Sequence, residues 1–118
     1  MGEQSSFKRL DLFTASKKLV LSAYALTQDL PADEKSNLVF YIRNAALTAH
    51  LSLSQGMYLK KGKARKKILQ RAKNACVVID AAVDVLTELG LVAEEQTTEV
   101  LALASLCFQQ TDNLLKEN

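Results

Sequence analysis

The sequence contains no tryptophan, one proline, four glycines, two cysteines and one histidine in 118 residues, and only 6% of it is aromatic. Each scarcity closes off a class of protein. One proline and four glycines are too few for the repeated tight turns of a β-sandwich or barrel. Cys76 and Cys107 lie 31 positions apart among apolar neighbours, which suits small core side chains in a reducing cytosol better than a disulfide scaffold. Long hydrophobic runs are also missing. The longest, such as Leu38 to Ile42 and Ala75 to Ile79, reach about five residues, against the roughly 20 that span a bilayer. Met1 to Ser6 lack the basic-then-apolar layout of a signal peptide, and although they fit the N-myristoylation pattern formally, a frayed polar terminus accounts for the same residues. A cytoplasmic protein with no membrane partner is expected, its residues 1–8 forming a flexible N-terminal segment.

Catalytic and metal-binding patterns are equally scarce. His50, the single histidine, stands between Ala49 and Leu51 with no serine or cysteine nucleophile motif beside it. It reads as a structural or interfacial side chain rather than part of a triad. His50, Cys76 and Cys107 lack the paired spacing of a structural zinc site. No glycine-rich phosphate loop is present. The carboxylate pairs Asp80 with Asp84 and Glu94 with Glu95 have no histidine on their helices, unlike the Glu-x-x-His repeats of di-iron bundles. No catalytic residue, metal ligand or cofactor site is expected, and the chain reads as a non-enzyme.

What the sequence does hold is helical periodicity. Leu12, Ala15, Ser16, Leu19, Ala23, Leu26 and Leu30 recur at steps of three and four, predicting a helix from Leu10 to about Gln28 that Pro31 ends. Asp33 and Glu34 bring negative charge to the start of the next helix, whose stripe is Leu38, Ile42, Ala45, Ala46, Ala49, Leu53 and Gly56. That helix is expected to end near Met57 or Tyr58, with Lys60-Lys61-Gly62-Lys63 as the turn. A third helix starts near Ala64, buries Ile68, Ala72, Ala75, Cys76, Ile79, Val83 and Leu86, and stops at Gly90. Glu94 and Glu95 open the fourth, whose apolar face holds Val100, Leu103, Ala104, Cys107, Phe108, Thr111, Leu114 and Leu115. Four such helices with short connections make a single-domain, all-α, up-down-up-down antiparallel four-helix bundle over residues 1–118.

Two features exceed what a monomeric bundle needs. Several helices carry a second apolar stripe on the far side: Phe40, Leu47 and Leu51 on the second, Val77, Val78, Ala81 and Val85 on the third, and Phe13, Val20 and Tyr24 flanking the first. These read as subunit interface, with Phe40, Leu47, Leu51, Val77, Ala81 and Val85 as the packing residues, although an irregular bundle could also bury them internally. The second feature is charge. The formal net charge is only +2, but Lys35 to Ile79 carries ten basic and no acidic residues, leaving −8 on the rest. Eight of the ten fall within Lys60 to Lys73: Lys60, Lys61, Lys63, Arg65, Lys66, Lys67, Arg71 and Lys73. At helical spacing they form a ridge suited to the phosphate backbone of RNA or DNA, and Tyr58 beside it offers a face for an unpaired base. A solvated surface, or an adaptor surface for an acidic protein, is the competing reading.

Leu30-Pro31 with Glu34, Leu38 with Ile42-Arg43-Asn44-Ala45-Ala46, Ser52-Leu53-Ser54-Gln55-Gly56, and Ala72 to Leu91 ending Glu88-Leu89-Gly90-Leu91 give nearly the whole chain a family resemblance. It resembles the small four-helix bundle proteins encoded in intervening sequences of bacterial 23S rRNA genes, and the related accessory variability determinant proteins of diversity-generating retroelements. The family's usual Asn-Ile-Ala-Glu-Gly is here Ser52-Leu53-Ser54-Gln55-Gly56, and a glutamate common in the third helix is here Val78; both departures remove polar or charged groups. The resemblance implies a homopentamer, nucleic-acid contact through basic surface, and association with a reverse transcriptase.

Overall fold

Burial follows the three- and four-residue steps of the sequence along every helix. The computed structural model describes the backbone of residues 2–118 and the side chains of residues 10–118; the side chains of the expected flexible segment, residues 1–8, lie outside the described residues. Four α-helices follow one another: α1 (Gly2–Thr27), α2 (Phe40–Gly56), α3 (Lys63–Glu88) and α4 (Glu94–Glu117). Each packs against its neighbours in sequence, and α1 closes the ring against α4, which is the up-down-up-down bundle. Leu12, Leu19, Ile42, Leu53, Leu69, Ile79, Val83, Leu86, Val100 and Cys107 form the core, and alanines such as Ala23, Ala46, Ala49 and Ala72 let the helix axes approach closely.

The helix ends show why the turns fall where they do. At the end of α3, Gly90 adopts φ +72°, its N–H donates to the Thr87 carbonyl (3.0 Å), and the Leu91 N–H donates to the Leu86 carbonyl (3.0 Å). This closes the helix with the left-handed residue that only glycine adopts without a steric penalty. α4 then opens with the Ala93 N–H donating to Gln96 Oε1 at 2.8 Å, and with Glu94 and Glu95 at the positive end of the helix dipole. At the other end of the rod, Gly62 takes φ +146° and exchanges two hydrogen bonds with the Asn118 amide, each 3.2 Å.

Two expected core positions move by one residue. The chain enters α2 through a 3-10 turn, Ala32–Glu34, and a wider π-type turn, Lys35–Val39, in which Asn37 leaves helical angles (φ −112°, ψ −106°). That wider winding shifts the register, so Val39 is buried where Leu38 was expected, and Leu38 is half-buried. In α3, Leu69 is fully buried and Ile68 only half-buried. Gly56 decides this: Leu69 Cδ2 lies 2.9 Å from where a Cβ on Gly56 would stand, so the missing side chain is the space that Leu69 fills.

Candidate nucleic-acid interface

The antiparallel topology turns a segregation of charge along the chain into a segregation along a rod of 46 × 24 × 18 Å. The loop joining α2 to α3, with Lys60 and Lys61, stands at one end beside the basic start of α3. At the other end meet the linker after α1, bearing Asp29, Asp33 and Glu34, the end of α3, bearing Asp84 and Glu88, and the start of α4, bearing Glu94 and Glu95. The bundle therefore has one basic and one acidic end, which its +2 net charge conceals.

Six of the eight expected ridge cations are exposed: Lys60, Lys61, Lys63, Lys66, Lys67 and Arg71. Among the described residues none of the six pairs with a carboxylate, since the ion pairs formed are Lys73 with Asp112 and Lys116 with Asp112. Tyr58, in the α2–α3 loop, is 93% exposed, an uncovered aromatic face adjoining Lys60 and Lys61.

Two expected ridge residues belong elsewhere. Arg65 is buried, four residues before Leu69 on the core stripe, and its Nε has no hydrogen-bond partner among the described residues. Lys73 is half-buried, because it lies on the α4 side of α3. Its Nζ is 2.8 Å from Asp112 Oδ1 and stands 5.0 Å from the centre of the Phe108 ring. Lys116 lies 3.2 Å from the other Asp112 oxygen, and these two hydrogen-bonded cations hold the Asp112 carboxyl below the usual carboxylate range.

The second stripes are uncovered, as packing residues of a subunit contact would be in an isolated chain. Phe40, Leu51, Val77, Ala81 and Val85 are all exposed, and Leu47 is half-buried in an open groove between α1 and α2. Internal burial of the α2 and α3 stripes is thereby overturned. It holds in part for α1, where Phe13 and Val20 are half-buried against the core.

One pairing was not legible in the sequence. Ser16 Oγ and His50 Nδ1 are 2.8 Å apart across α1 and α2, while the Ser16 hydroxyl also lies 3.1 Å from the Phe13 carbonyl. One serine proton serves both contacts only if the hydroxyl donates to Phe13 and the His50 Nδ1–H donates to Ser16. Burial and then Lys17 lower the His50 pKa, which favours neutral imidazole. Ser16 is fully buried, and the bond ties α1 to α2. Arg43 is similarly fixed: its Nε donates to Thr27 Oγ1 at 2.8 Å and its guanidinium stacks on Tyr24 at 4.4 Å. Among the described residues no cluster of three or more His, Cys, Asp or Glu side chains is placed to hold a metal ion, and no helix is long and apolar enough to cross a membrane. No protein-family profile matches the chain, and neither does any curated protein.

Proposed function

We propose that this bundle is a non-enzymatic, self-associating protein that contacts the nucleic-acid backbone through its basic end, without sequence readout. The supporting observation is the cluster of six exposed cations around Tyr58, Lys60 and the start of α3, unpaired among the described residues, from which Arg65 and Lys73 are withdrawn. A phosphate chain meets several cations on one surface there and releases its counterions, and Tyr58 adds a stacking face for an unpaired base, worth roughly 1–3 kcal/mol. Base edges are not read, because flexible lysines supply charge rather than the bidentate geometry that discriminates bases. Self-association rests on the uncovered apolar residues of α2 and α3.

Fluorescence anisotropy with a random-sequence oligonucleotide at low salt tests the reading. Lys66→Glu with Lys67→Glu lowers affinity at least about tenfold, whereas Lys73→Ala changes it little. Unchanged affinity in the double variant, or no binding by the parent, refutes it. If the parent instead binds an acidic polypeptide and not the oligonucleotide, the ridge is an adaptor surface for a protein such as a reverse transcriptase.

A further inference from the structure

The side of α2 that borders α1 repeats every four residues. Lys35, Val39, Arg43 and Leu47 follow one another along it, the first two contributed by the π-type turn. Opposite them, the end of α1 presents Tyr24, Thr27 and Gln28 at the same helical steps. Between the two helices lies an open groove of about 480 Å³, within the roughly 300–1,000 Å³ of small-molecule sites. Arg43 is held in it from two sides. Its Nε–H donates to Thr27 Oγ1 at 2.8 Å, the Thr27 hydroxyl donates in turn to the Ala23 carbonyl at 2.8 Å, and the guanidinium lies 4.4 Å from the centre of the Tyr24 ring. With Nε taken, two terminal nitrogens remain, and among the described residues no acceptor meets them. Their spacing matches the two oxygens of a carboxylate.

Lys35 adds a second cation, exposed and unpaired among the described residues, while no carboxylate lines the groove. Val39, Phe40 and Leu47 give the remainder apolar walls, and Phe40 is 53% exposed. We infer that this groove binds an organic monocarboxylate, its carboxylate on the free edge of Arg43 beside Lys35 and its apolar body along Val39, Phe40 and Leu47. Because Thr27 and Tyr24 fix the guanidinium before the ligand arrives, little side-chain freedom is lost on binding. The walls disfavour inorganic anions, which would give up water there for no apolar contact. The adjoining linker carries Asp29, Asp33 and Glu34, whose field opposes a phosphate dianion or a nucleic-acid strand more than a monoanion. The site depends neither on nucleic-acid binding, which uses the opposite end of the rod, nor on self-association. Phe40 and Leu47 also belong to the stripe proposed for subunit contact, so the bound acid sits at the margin of that contact.

Heteronuclear NMR on the isotope-labelled full chain, titrated with phenylbutyrate, tests the site. The Arg43 Nε–H signal and the backbone amides of Lys35, Arg43 and Asn44 are expected to shift together and saturate, with a Kd of about 1 mM or lower. Phenylbutanol lacks the charge and acetate lacks the apolar body, and each binds at least about tenfold more weakly. Arg43→Lys keeps the charge but loses the fork and weakens phenylbutyrate binding at least about fivefold, and Lys35→Glu does likewise. Lys35 is exposed, so its variant folds and decides the matter even if circular dichroism shows that Arg43→Lys unfolds the bundle. Lys66→Glu with Lys67→Glu changes phenylbutyrate affinity by less than about twofold, which keeps failure of this site distinct from failure of the nucleic-acid reading. Absence of a saturable shift, equal affinity for phenylbutanol, or shifts centred on Lys60 to Arg71 overturns the inference. Tighter binding of adenosine monophosphate than of phenylbutyrate overturns the carboxylate and makes the groove a phosphate site.

Discussion

Arg65 carries a guanidinium onto the core stripe of α3, and its Nε is buried without a partner among the described residues. An unsatisfied buried donor costs about 1–3 kcal/mol, more than methionine of similar length would. Arg65→Met is therefore expected to stabilise the bundle by about 1 kcal/mol, raising the melting temperature by a few degrees, with oligonucleotide affinity within about twofold of the parent. A lower melting temperature, or a large loss of affinity, refutes this placement. The two cysteines make the complementary point. Burial pushes the Cys76 thiol to about 12, with Cys107 contributing, and the Cys107 thiol to about 11, from an ordinary value of 9.0. A native-state pKa above the unfolded one gives stability that is complete below about pH 9 and is lost as pH rises through the folded values. Thiol reagents at pH 8 should accordingly label neither cysteine faster than the chain opens; immediate labelling in stopped flow would contradict it. Apolar neighbours made burial of Cys76 and Cys107 legible in advance. Arg65 misled, because eight cations in fourteen positions read as one surface until the Leu69 register is known.

At the scale of elements, the four helices and the stops at Gly62 and Gly90 were readable from spacing and turn chemistry, while contact between helices was not. Gly56 lies on the α2 stripe, and nothing in the sequence says that it receives Leu69. Gly56→Ala would gain about 1 kcal/mol of helix propensity, yet it drives Leu69, fully buried and unable to swing aside, out of its site. The expected net effect is a loss of about 1 kcal/mol in denaturant unfolding. In a Leu69→Ala background the same change should become stabilising, because the clash is gone. Equal effects in both backgrounds would show that the helices are not in contact there. The entry to α2 was equally hidden: Pro31, Asp33 and Glu34 announce a helix start, but the π-type turn at Lys35–Val39 depends on how α2 seats against the core. The Ser16–His50 bond joins residues 34 positions apart, a separation that no local pattern reports.

For the whole molecule, the consequence of the fold is its axial polarity. The six exposed cations of the proposed interface set the expected salt dependence: the logarithm of affinity should fall with the logarithm of salt at a slope of roughly −4 for single strands and −5 for duplex. Titrations between 50 and 200 mM salt should thus weaken single-strand binding by a factor of roughly several hundred. A slope near zero would mean that the basic end is not the contact surface. A duplex slope near roughly −7 would draw Arg65 and Lys73 back into the ridge.

The sequence by itself determined the helix count, the fold class, most of the buried positions and the imbalance of charge between segments, because each is a property of residues a few positions apart and of their hydropathy. Only the tertiary structure decided which cations are available and how the charge is arranged in space. Antiparallel packing gathers Asp29, Asp33, Glu34, Asp84, Glu88, Glu94 and Glu95 at one end and the ridge at the other, while packing against α4 removes Lys73 and burial removes Arg65. An electrostatic surface is a sum over neighbours in space, and for this chain those neighbours come from different helices.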